Sequence, residues 1–439
     1  MKLGNRILIG SGCLALLLIS WIVVIRAPSD AETQLALVEQ AQALMADKIY
    51  IHAVPLLEEA AGYDAAHTSA AEAALKEAYL QLIDQQGYRR KFVALLEAQM
   101  SRKDATPELF IEAANFYLNE SKLANTLTVL KQGIAKTGSA DLIKLYEQNR
   151  YIYQLGRIAY ENVTEICGTT IGVQLNGLWG LALSDGSLII NCEYEKISTY
   201  NRGRMVVQKN NEIYAIDSSG NRIALLKERA TDFGNYVNDR IPLLIDGVWR
   251  RATGEFLLGS ASFEQIGTYW DGYVAAKEGG KWGVVDLELN WLLAPEYDEI
   301  IMDELGRSCG QDAVFARKGN SIYLFVNGVQ LDDTYEDAHP FGVEGYAAVK
   351  KHGKWGFIDT SGIVQIAYQF EDALSFGQHL AAVRQGESWG YISLFSEGRL
   401  VIEADFLQAK SFANGSAPVL TDRGWQFITL LEFKKGAGL

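Results

Sequence analysis

A repeat of about 35 residues in the C-terminal two-thirds of the chain limits its fold more than any other feature of the sequence. The stretches KHGKWGFIDTSGIVQIAYQFEDA (351–373) and GGKWGVVDLELNWLLAPEYDEI (279–300) have the same order of features around a Trp-Gly pair. Equivalent aromatic residues recur every 32 to 41 residues, at Trp179, Tyr214, Trp249, Trp282, Tyr323, Trp355, Trp389 and Trp425. Such a period predicts a protein built from stacked or radially arranged units.

An aromatic-acidic step gives a second count of the units. It occurs at Tyr160, Tyr194, Phe263, Tyr297, Tyr335 and Phe370, with degenerate copies at Lys227 and Phe406. Both markers therefore predict eight units between residues 156 and 439. In the unit around Trp355, YAAVK and KWGFID alternate as strands around a tight turn in which Gly353 takes a positive φ. With IVQIA as the third strand, each unit is predicted to be a three-stranded meander that must pack on its neighbours.

The alternation also predicts what the Trp-Gly pair does. Trp355 and Phe357 share one face of their strand, and Gly356 lies on the other. The indole can then cover the neighbouring unit, while the missing side chain at Gly356 lets a residue of the adjacent layer approach the backbone. Trp355-Gly356 is therefore predicted to be a packing device and not a site.

The two ends of the repeat region predict how it closes. The last unit contains SAPVL and WQFITLL and then stops about 14 residues after Trp425, whereas LGRIAYENV (155–163) resembles the end of a third strand. A β-propeller whose last blade is completed by both ends of the region produces this pattern. An open β-solenoid, with two edges that need caps, is the alternative. The strand missing at one end and the extra strand at the other favour the closed ring.

These residues resemble the WG-repeat family of bacterial proteins, whose consensus is Lys-Trp-Gly-aromatic-Ile-Asp, then a Gly and a strand ending in Tyr-Asp. The resemblance is close at 281–299 and 354–372, fair at 179–195 and 389–406, and weak in the other four units. It spans about 280 residues. It implies an interaction module and says little about activity.

Residues 31–155 are predicted to be helical, because apolar residues recur at intervals of three and four among Ala, Leu, Glu and Gln. Three stretches align as helix, polar turn and second helix, with Tyr50, Tyr88 and Leu123 in the same place. They resemble tetratricopeptide-type hairpins and predict a helical solenoid. Thr106 and Pro107 mark a helix start, and Pro55 is tolerated if it lies in the first turn of its helix.

The run Ile7–Ile25 contains 19 residues without a charge and would be about 28 Å long as a helix, enough to cross a bilayer. Basic residues before it and acids after it predict a cytoplasmic N-terminus and extracytoplasmic domains. Cleavage of a signal peptide after Ala31, giving a secreted protein, is the alternative. The predicted organisation is an anchor or signal segment (1–30), a helical tetratricopeptide-like domain (31–155) and a WG-repeat β domain (156–439).

Charge and motifs exclude several classes of function. The net charge of −14 disfavours nucleic acid as a partner. The four cysteines lack a metal-type spacing and are interpreted as small buried hydrophobes, although Cys167 and Cys192 could pair if their strands meet. The sequence has no H-E-x-x-H, G-x-S-x-G, P-loop or dinucleotide motif, so no catalytic residue, cofactor or metal is predicted. Pairs of acids recur with the repeat, which indicates roles in turns and on the surface.

Two functions remain open. The first is a non-catalytic, membrane-anchored extracytoplasmic scaffold that binds proteins or envelope polymer through its helical and repeat surfaces. The alternative is a carbohydrate-active or other hydrolytic enzyme that uses the central or rim face of the repeat domain, with unrepeated polar residues gathered there. The longest departures from the repeat contain Trp270, Asp303 and Glu304, which we predict to form a binding site on the rim.

Overall fold

The computed structural model describes residues 28–225 and 230–433. The predicted anchor, Ile7–Ile25, lies outside these residues. Within them, none of the helices combines the length and apolar character needed to cross a membrane. The chain divides into two compact units, up to Ala113 and from Ala114 onwards.

The N-terminal part of the described chain is helical, as predicted. Its helices are α1 (Asp30–Ala46), α2 (Tyr50–Ala61), α3 (Thr68–Gln81), α4 (Tyr88–Ser101), α5 (Pro107–Asn119), α6 (Leu123–Thr137) and α7 (Ala140–Asn149). The three aligned residues Tyr50, Tyr88 and Leu123 are the first residues of α2, α4 and α6, so the predicted helix-turn-helix register is confirmed.

Local chemistry explains where the helices begin and how the first three are joined. Ser29 and Glu32 form a capping box at α1, and α5 begins at Pro107 as predicted. The buried amide of Gln34 donates to the Ala60 carbonyl (2.9 Å), which ties α1 to α2. Pro55, however, lies inside α2, beyond its first turn.

From Tyr153 onwards the described chain forms eight antiparallel sheets in succession, which we call blades 1 to 8. The strands of the first four blades, after β1 (Tyr153–Leu155), are β2 (Asn162–Val163), β3 (Thr170–Leu175), β4 (Leu178–Leu183) and β5 (Leu188–Tyr194) in blade 1; β6 (Lys196–Ile197), β7 (Met205–Lys209), β8 (Glu212–Ile216) and β9 (Arg222–Leu225) in blade 2; β10 (Ala230–Phe233), β11 (Arg240–Ile245), β12 (Val248–Thr253) and β13 (Leu258–Phe263) in blade 3; and β14 (Gln265–Ile266), β15 (Tyr273–Glu278), β16 (Lys281–Asp286) and β17 (Trp291–Tyr297) in blade 4.

The remaining blades follow the same order. Their strands are β18 (Glu299–Ile300), β19 (Cys309–Gly310), β20 (Ala313–Lys318), β21 (Ser321–Val326) and β22 (Val329–Tyr335) in blade 5; β23 (Asp337–Ala338), β24 (Tyr346–Lys351), β25 (Lys354–Asp359) and β26 (Val364–Phe370) in blade 6; β27 (Asp372–Ala373), β28 (Leu380–Gln385), β29 (Ser388–Ser393) and β30 (Leu400–Phe406) in blade 7; and β31 (Gln408–Ala409), β32 (Ser416–Thr421) and β33 (Gly424–Leu430) in blade 8.

The prediction of three strands per unit was wrong, because each blade also has a short first strand. The two residues Asp372 and Ala373, for example, pair with Arg384 and Val383 of the next strand. A sequence unit therefore supplies the second, third and fourth strands of one blade and the first strand of the next. Four strands per blade is the usual number in a β-propeller.

The propeller is closed, which excludes the open solenoid. β1 pairs antiparallel with β33, matching Tyr153 with Leu430 and Leu155 with Ile428, and Tyr160 forms a further bridge with Trp425. The predicted closing segment, 155–163, is partly displaced: the strand lies at Tyr153–Leu155, and Asn162–Val163 already belongs to blade 1. Closure by both ends of the propeller is thus confirmed with a shifted register.

Eight apolar clusters hold the ring together, one between each pair of consecutive blades. Between blades 6 and 7, Trp355 and Phe357 pack with Phe376 and Ala381, so the Trp face covers the neighbouring blade as predicted. Tyr160 and Phe427 join Ile171 in the cluster between blades 8 and 1. Every blade is therefore packed on both sides.

The glycine of the Trp-Gly pair lies beneath a bulge in its own sheet. Trp355 pairs with Phe370 but Phe357 pairs with Ile366, so three residues of β26 lie opposite Gly356 alone. A Cβ atom added to Gly356 would lie 2.8 Å from the Ile366 carbonyl oxygen, and Gly390 has the same relation to Ile402 at 2.6 Å. The backbone that approaches the glycine thus comes from the next strand and not, as predicted, from an adjacent layer.

Replacing Gly356 with Ala should lower the thermal unfolding midpoint, because the added methyl must push the bulge away. We expect a loss of about 1–3 kcal/mol in the free energy of unfolding, typical of overpacking. Gly259→Ala is the matched control, since its added Cβ would meet no atom closer than 3.4 Å. Equal losses in the two variants would contradict this role for the Trp-Gly glycine.

Candidate functional site

The centre of the propeller is lined by the segments between the first and second strands of the blades. Each first strand, which has two residues except in blade 3 where β10 has four, lies at the edge of its sheet opposite the fourth strand, so the segment that follows it faces the ring centre. In blade 5 this segment, 301–312, is the longest, because it contains the departure from the repeat that includes Asp303 and Glu304; we call it the insertion. It supplies most of the central polar groups.

Asp303 organises this insertion. Its carboxylate accepts hydrogen bonds from the main-chain N–H groups of Leu305 (3.0 Å) and Arg307 (2.9 Å) and forms an ion pair with the Arg307 guanidinium. The turn that results carries the Leu305 carbonyl towards other blades. That carbonyl accepts from Asn235 of blade 3 (2.9 Å) and from Thr268 of blade 4. The insertion is therefore fixed to blades 3 and 4.

An ion pair between Glu304 and Lys410 crosses the ring. Lys410 follows the first strand of blade 8, three positions away from blade 5, so the two side chains can meet only across the centre. The Lys410 side chain is 7% exposed, lies 5.3 Å above the ring of Trp425, and is 3.8 Å from the Glu165 carboxylate of blade 1. A nearly buried lysine thus links blades 1, 5 and 8.

Glu165 is the most perturbed acid of this group. Its side chain is 12% exposed, and burial raises its pKa to about 7; nearby Glu304 adds to the rise, and Lys410 opposes it. The Lys410 ammonium lies 3.8 Å from the carboxylate, too far for a hydrogen bond, so it offsets only part of the effect of burial. Burial therefore favours the protonated form of Glu165 above its usual pH range.

The three predicted site residues lie on one connected path but open into different cavities. Trp270 borders a cavity of about 310 Å³ with Gln311 and Phe341, and the Arg307 guanidinium lies 4.8 Å above its ring. Glu304 borders another cavity of about 580 Å³, whose wall includes Trp179, Phe233, Lys410 and Trp425. Asp303 connects the two through Arg307.

Lys410, Glu165 and Arg307 were missed by the sequence prediction. The positions equivalent to Lys410 in other units hold uncharged or small residues such as Thr164, Ser198 and Gly267. A charge that appears at this position in only one unit was therefore a signal that alignment of all eight units could have provided. Arg307 lies within the departure from the repeat that also contains Asp303 and Glu304, but its role could not be predicted from the sequence.

The recurring acids have structural roles, as predicted. The acid of the aromatic-acidic step accepts a hydrogen bond from the main chain of the tight turn in the next blade. This contact is present for Glu161, Glu195, Glu264, Asp298, Glu336 and Glu371, at 2.7 to 3.2 Å. The Asp of the Trp-Gly motif caps the following turn, as when Asp359 accepts from Ser361 (2.9 Å) and Ile363 (3.0 Å).

Metal-type clusters and disulfides are absent from residues 28–225 and 230–433. These residues contain no cluster of three or more His, Cys, Asp or Glu side chains suited to a metal ion. Cys167, Cys192 and Cys309 are free thiols, so the considered Cys167–Cys192 bond is not formed. His339 stacks on Trp355 with the ring centroids 5.0 Å apart, and burial lowers its pKa, so it is part of the packing.

Glu165→Gln should change how stability depends on pH. An unfolded Glu165 ionises near pH 4.5 and the folded one near 7, so between these values only the folded state holds the proton. The free energy of unfolding of the wild type should therefore fall relative to Glu165→Gln as the pH rises from 4.5 to 7, by up to about 3 kcal/mol. Denaturation series at several pH values measure this difference.

The exposed Glu278 supplies the control, since Glu278→Gln should follow the wild type at every pH. Parallel curves for the wild type and Glu165→Gln would contradict the buried environment of Glu165.

Comparisons with known proteins identify the repeat. The profile of the family described as WG containing repeat matches residues 179–212, 282–303, 334–355 and 355–389. No curated protein matches the sequence.

Solved structures are similar only at low identity. They include Hsv2p of Kluyveromyces lactis (9% identity, 54% of this chain and 93% of that chain, TM-score 0.38). The β-propeller domain of Myceliophteria thermophila Cps50 (Swd1) has 8% identity, and the match covers 55% of this chain and 99% of that chain with a TM-score of 0.33. The Neurospora crassa Pan2 WD40 domain has 9% identity, and the match covers 51% of this chain and 85% of that chain with a TM-score of 0.32.

The four profile matches include the Trp-Gly pairs that begin at Trp179, Trp282 and Trp355, and the described residues form eight consecutive blades. The chain is a member of the WG-repeat family.

Proposed function

We propose that the protein is a non-catalytic scaffold that binds other proteins or envelope polymer through its helical and propeller surfaces. The observation that carries this proposal is that the unrepeated charges at the ring centre are engaged with one another. Asp303 is bonded to Arg307 and Glu304 to Lys410. A hydrolase would need a carboxylate or nucleophile free to meet a substrate, and these groups act instead to fix the insertion.

The repeat itself supports an interaction role. Its Trp, Gly and acidic positions are used for packing and for turns, which leaves the loops between strands free to vary without loss of the fold. Binding residues commonly lie on such loops, which a rigid scaffold positions. The cavities of about 310 and 580 Å³ beside the central insertion are of a size that can take part of a partner.

The proposed location is a membrane, with both folded parts outside the cytoplasm. The support is the uncharged run Ile7–Ile25, with Lys2 and Arg6 before it and Asp30 and Glu32 after it. The helical part resembles tetratricopeptide hairpins, which adds a second surface to the proposal. A partner could therefore contact helices, propeller or both.

An affinity experiment on fractionated cells tests the proposal. The tagged full chain should remain in the membrane pellet after an alkaline wash and, after mild detergent extraction, should retain a stoichiometric protein or polymer partner. A chain without residues 7–25 is the control and should leave the pellet. The same purified protein is incubated with envelope polymer, and soluble fragments are measured. Release of fragments without any retained partner would contradict the scaffold and favour the hydrolase.

A further inference from the structure

The packing between blades 3 and 4 breaks the repeat in a way that no other blade does. The strand position of Phe357 in blade 6 holds an apolar residue that is at most 2% exposed in seven blades, but it holds Arg251 in blade 3. The seven are Leu181, Ala215, Val284, Leu324, Phe357, Tyr391 and Phe427. Arg251 therefore occupies a position that otherwise belongs to the core between blades.

A second substitution accompanies the first. The fourth strand ends in an aromatic residue, and the position four residues before it is a buried aliphatic in blades 1, 4, 6 and 7. In each of these blades that aliphatic packs with the apolar third-strand residue named above. These residues are Ile190, Leu293, Ile366 and Ile402. Blade 3 has Gly259 at this position. The pair that fills the core elsewhere is thus replaced by a cation and a missing side chain.

The result is a cavity of about 610 Å³ whose wall includes Arg202, Arg240, Arg251 and Gly259. The apolar cluster between blades 3 and 4 is correspondingly the smallest of the eight, with five buried residues, and contains none from the third strand of blade 3. Since the neighbouring interfaces are filled, this opening follows from the two substitutions.

The arginines of this cavity are unusual in an acidic chain because they are not ion-paired. Arg240 donates to the Asn238 carbonyl (3.0 Å) and Arg251 to the Leu287 carbonyl (2.9 Å), and within the described ranges neither they nor Arg202 form an ion pair with a carboxylate. Asp239 and Glu288 also border the cavity, but Asp239 is already bonded to Tyr236 and Gly254. Guanidinium donors remain available to an anion.

A buried hydroxyl beside these arginines also lacks a partner. Tyr269 is 3% exposed, its ring lies 5.7 Å from the Arg251 guanidinium, and no described residue forms a hydrogen bond with its hydroxyl. Burial raises the pKa of Tyr269, although Arg251 and Arg240 oppose the rise, so the hydroxyl keeps its proton and can donate. An unsatisfied buried donor next to a cation fits a ligand oxygen.

We infer that this cavity is the docking site for an acidic peptide segment of a protein partner, with a carboxylate held by Arg251 and Arg240. An apolar side chain of the same segment would cover Leu257, which is 66% exposed at the cavity wall. This apolar contact beside the arginines favours a peptide over an acidic polysaccharide, which has no aliphatic side chains. The inference rests on the proposed scaffold role and specifies the chemistry of the partner.

Fluorescence anisotropy with the detergent-solubilised full chain tests the inference. The probe is a fluorescein-labelled peptide of alternating glutamate and leucine, compared with the same peptide carrying glutamine in place of glutamate. The glutamate peptide should bind saturably and at least about tenfold more tightly than the glutamine peptide, because a carboxylate forms charge-assisted hydrogen bonds with guanidinium and an amide does not. Equal binding of the two peptides would overturn the inference.

Two variants and a control locate the binding. Arg251→Met should weaken the glutamate peptide about tenfold, whereas Arg399→Met, which removes an arginine bonded to a main-chain carbonyl in blade 7, should leave it unchanged. The double variant Arg251→Leu with Gly259→Ile gives blade 3 the apolar pair of the other blades. It should abolish binding and raise the thermal midpoint, so loss of binding cannot be attributed to unfolding.

The remaining outcomes separate this site from the scaffold role. If inorganic phosphate or polygalacturonate binds in the cavity and the glutamate peptide does not, the assignment to a peptide is wrong. If a natural partner is retained by the double variant as well as by the wild type, the scaffold role stands and this docking site is refuted.

Discussion

The pairing of Tyr153–Leu155 with the last strand, Gly424–Leu430, is the contact on which the rest of the propeller depends. Each blade exposes an apolar face that only the next blade can cover, so a row of eight blades without closure would leave two such faces in water. Because β1 completes blade 8, Tyr160 and Phe427 are buried against Ile171 of blade 1. Closure also brings blades 1, 5 and 8 around a common centre, without which Lys410 could not meet Glu304.

Positions that repeat and positions that do not repeat serve different purposes in this ring. The Trp-Gly pair, the capping acids and the inter-blade aliphatics all satisfy requirements of a twisted four-stranded blade. The exceptions are concentrated in two places, the central insertion with Lys410 and Glu165, and the interface that contains Arg251 and Gly259. In the first, opposite charges are bonded to each other and stabilise the centre. In the second, arginine cations remain available to a ligand.

Much of this architecture could be predicted from the sequence because the repeat carries it. Trp355-Gly356 gave the period, the number of blades and the side that packs on the neighbour. The first strands could not be predicted, since the two residues Asp372 and Ala373 are too few to show alternation. Trp270 and Glu304 were grouped because both lie in departures from the repeat, but the insertion passes between two cavities, which only the three-dimensional path reveals. Arg251 was visible as a charge where seven units have an apolar residue, yet its meaning required knowing that the position lies between blades.

Hydrogen exchange at the closing contact tests the closed, eight-bladed ring most directly. The Tyr160 amide donates to the Trp425 carbonyl (2.8 Å) and the Gly156 amide to the Phe427 carbonyl (2.7 Å). If the ring is closed as described, these amides exchange only with global unfolding of the propeller, at the same free energy as those of the Tyr346–Lys351 and Lys354–Asp359 ladder in blade 6. Exchange at Gly156 and Tyr160 by a separate low-energy opening, with the blade 6 amides still protected, would contradict the account.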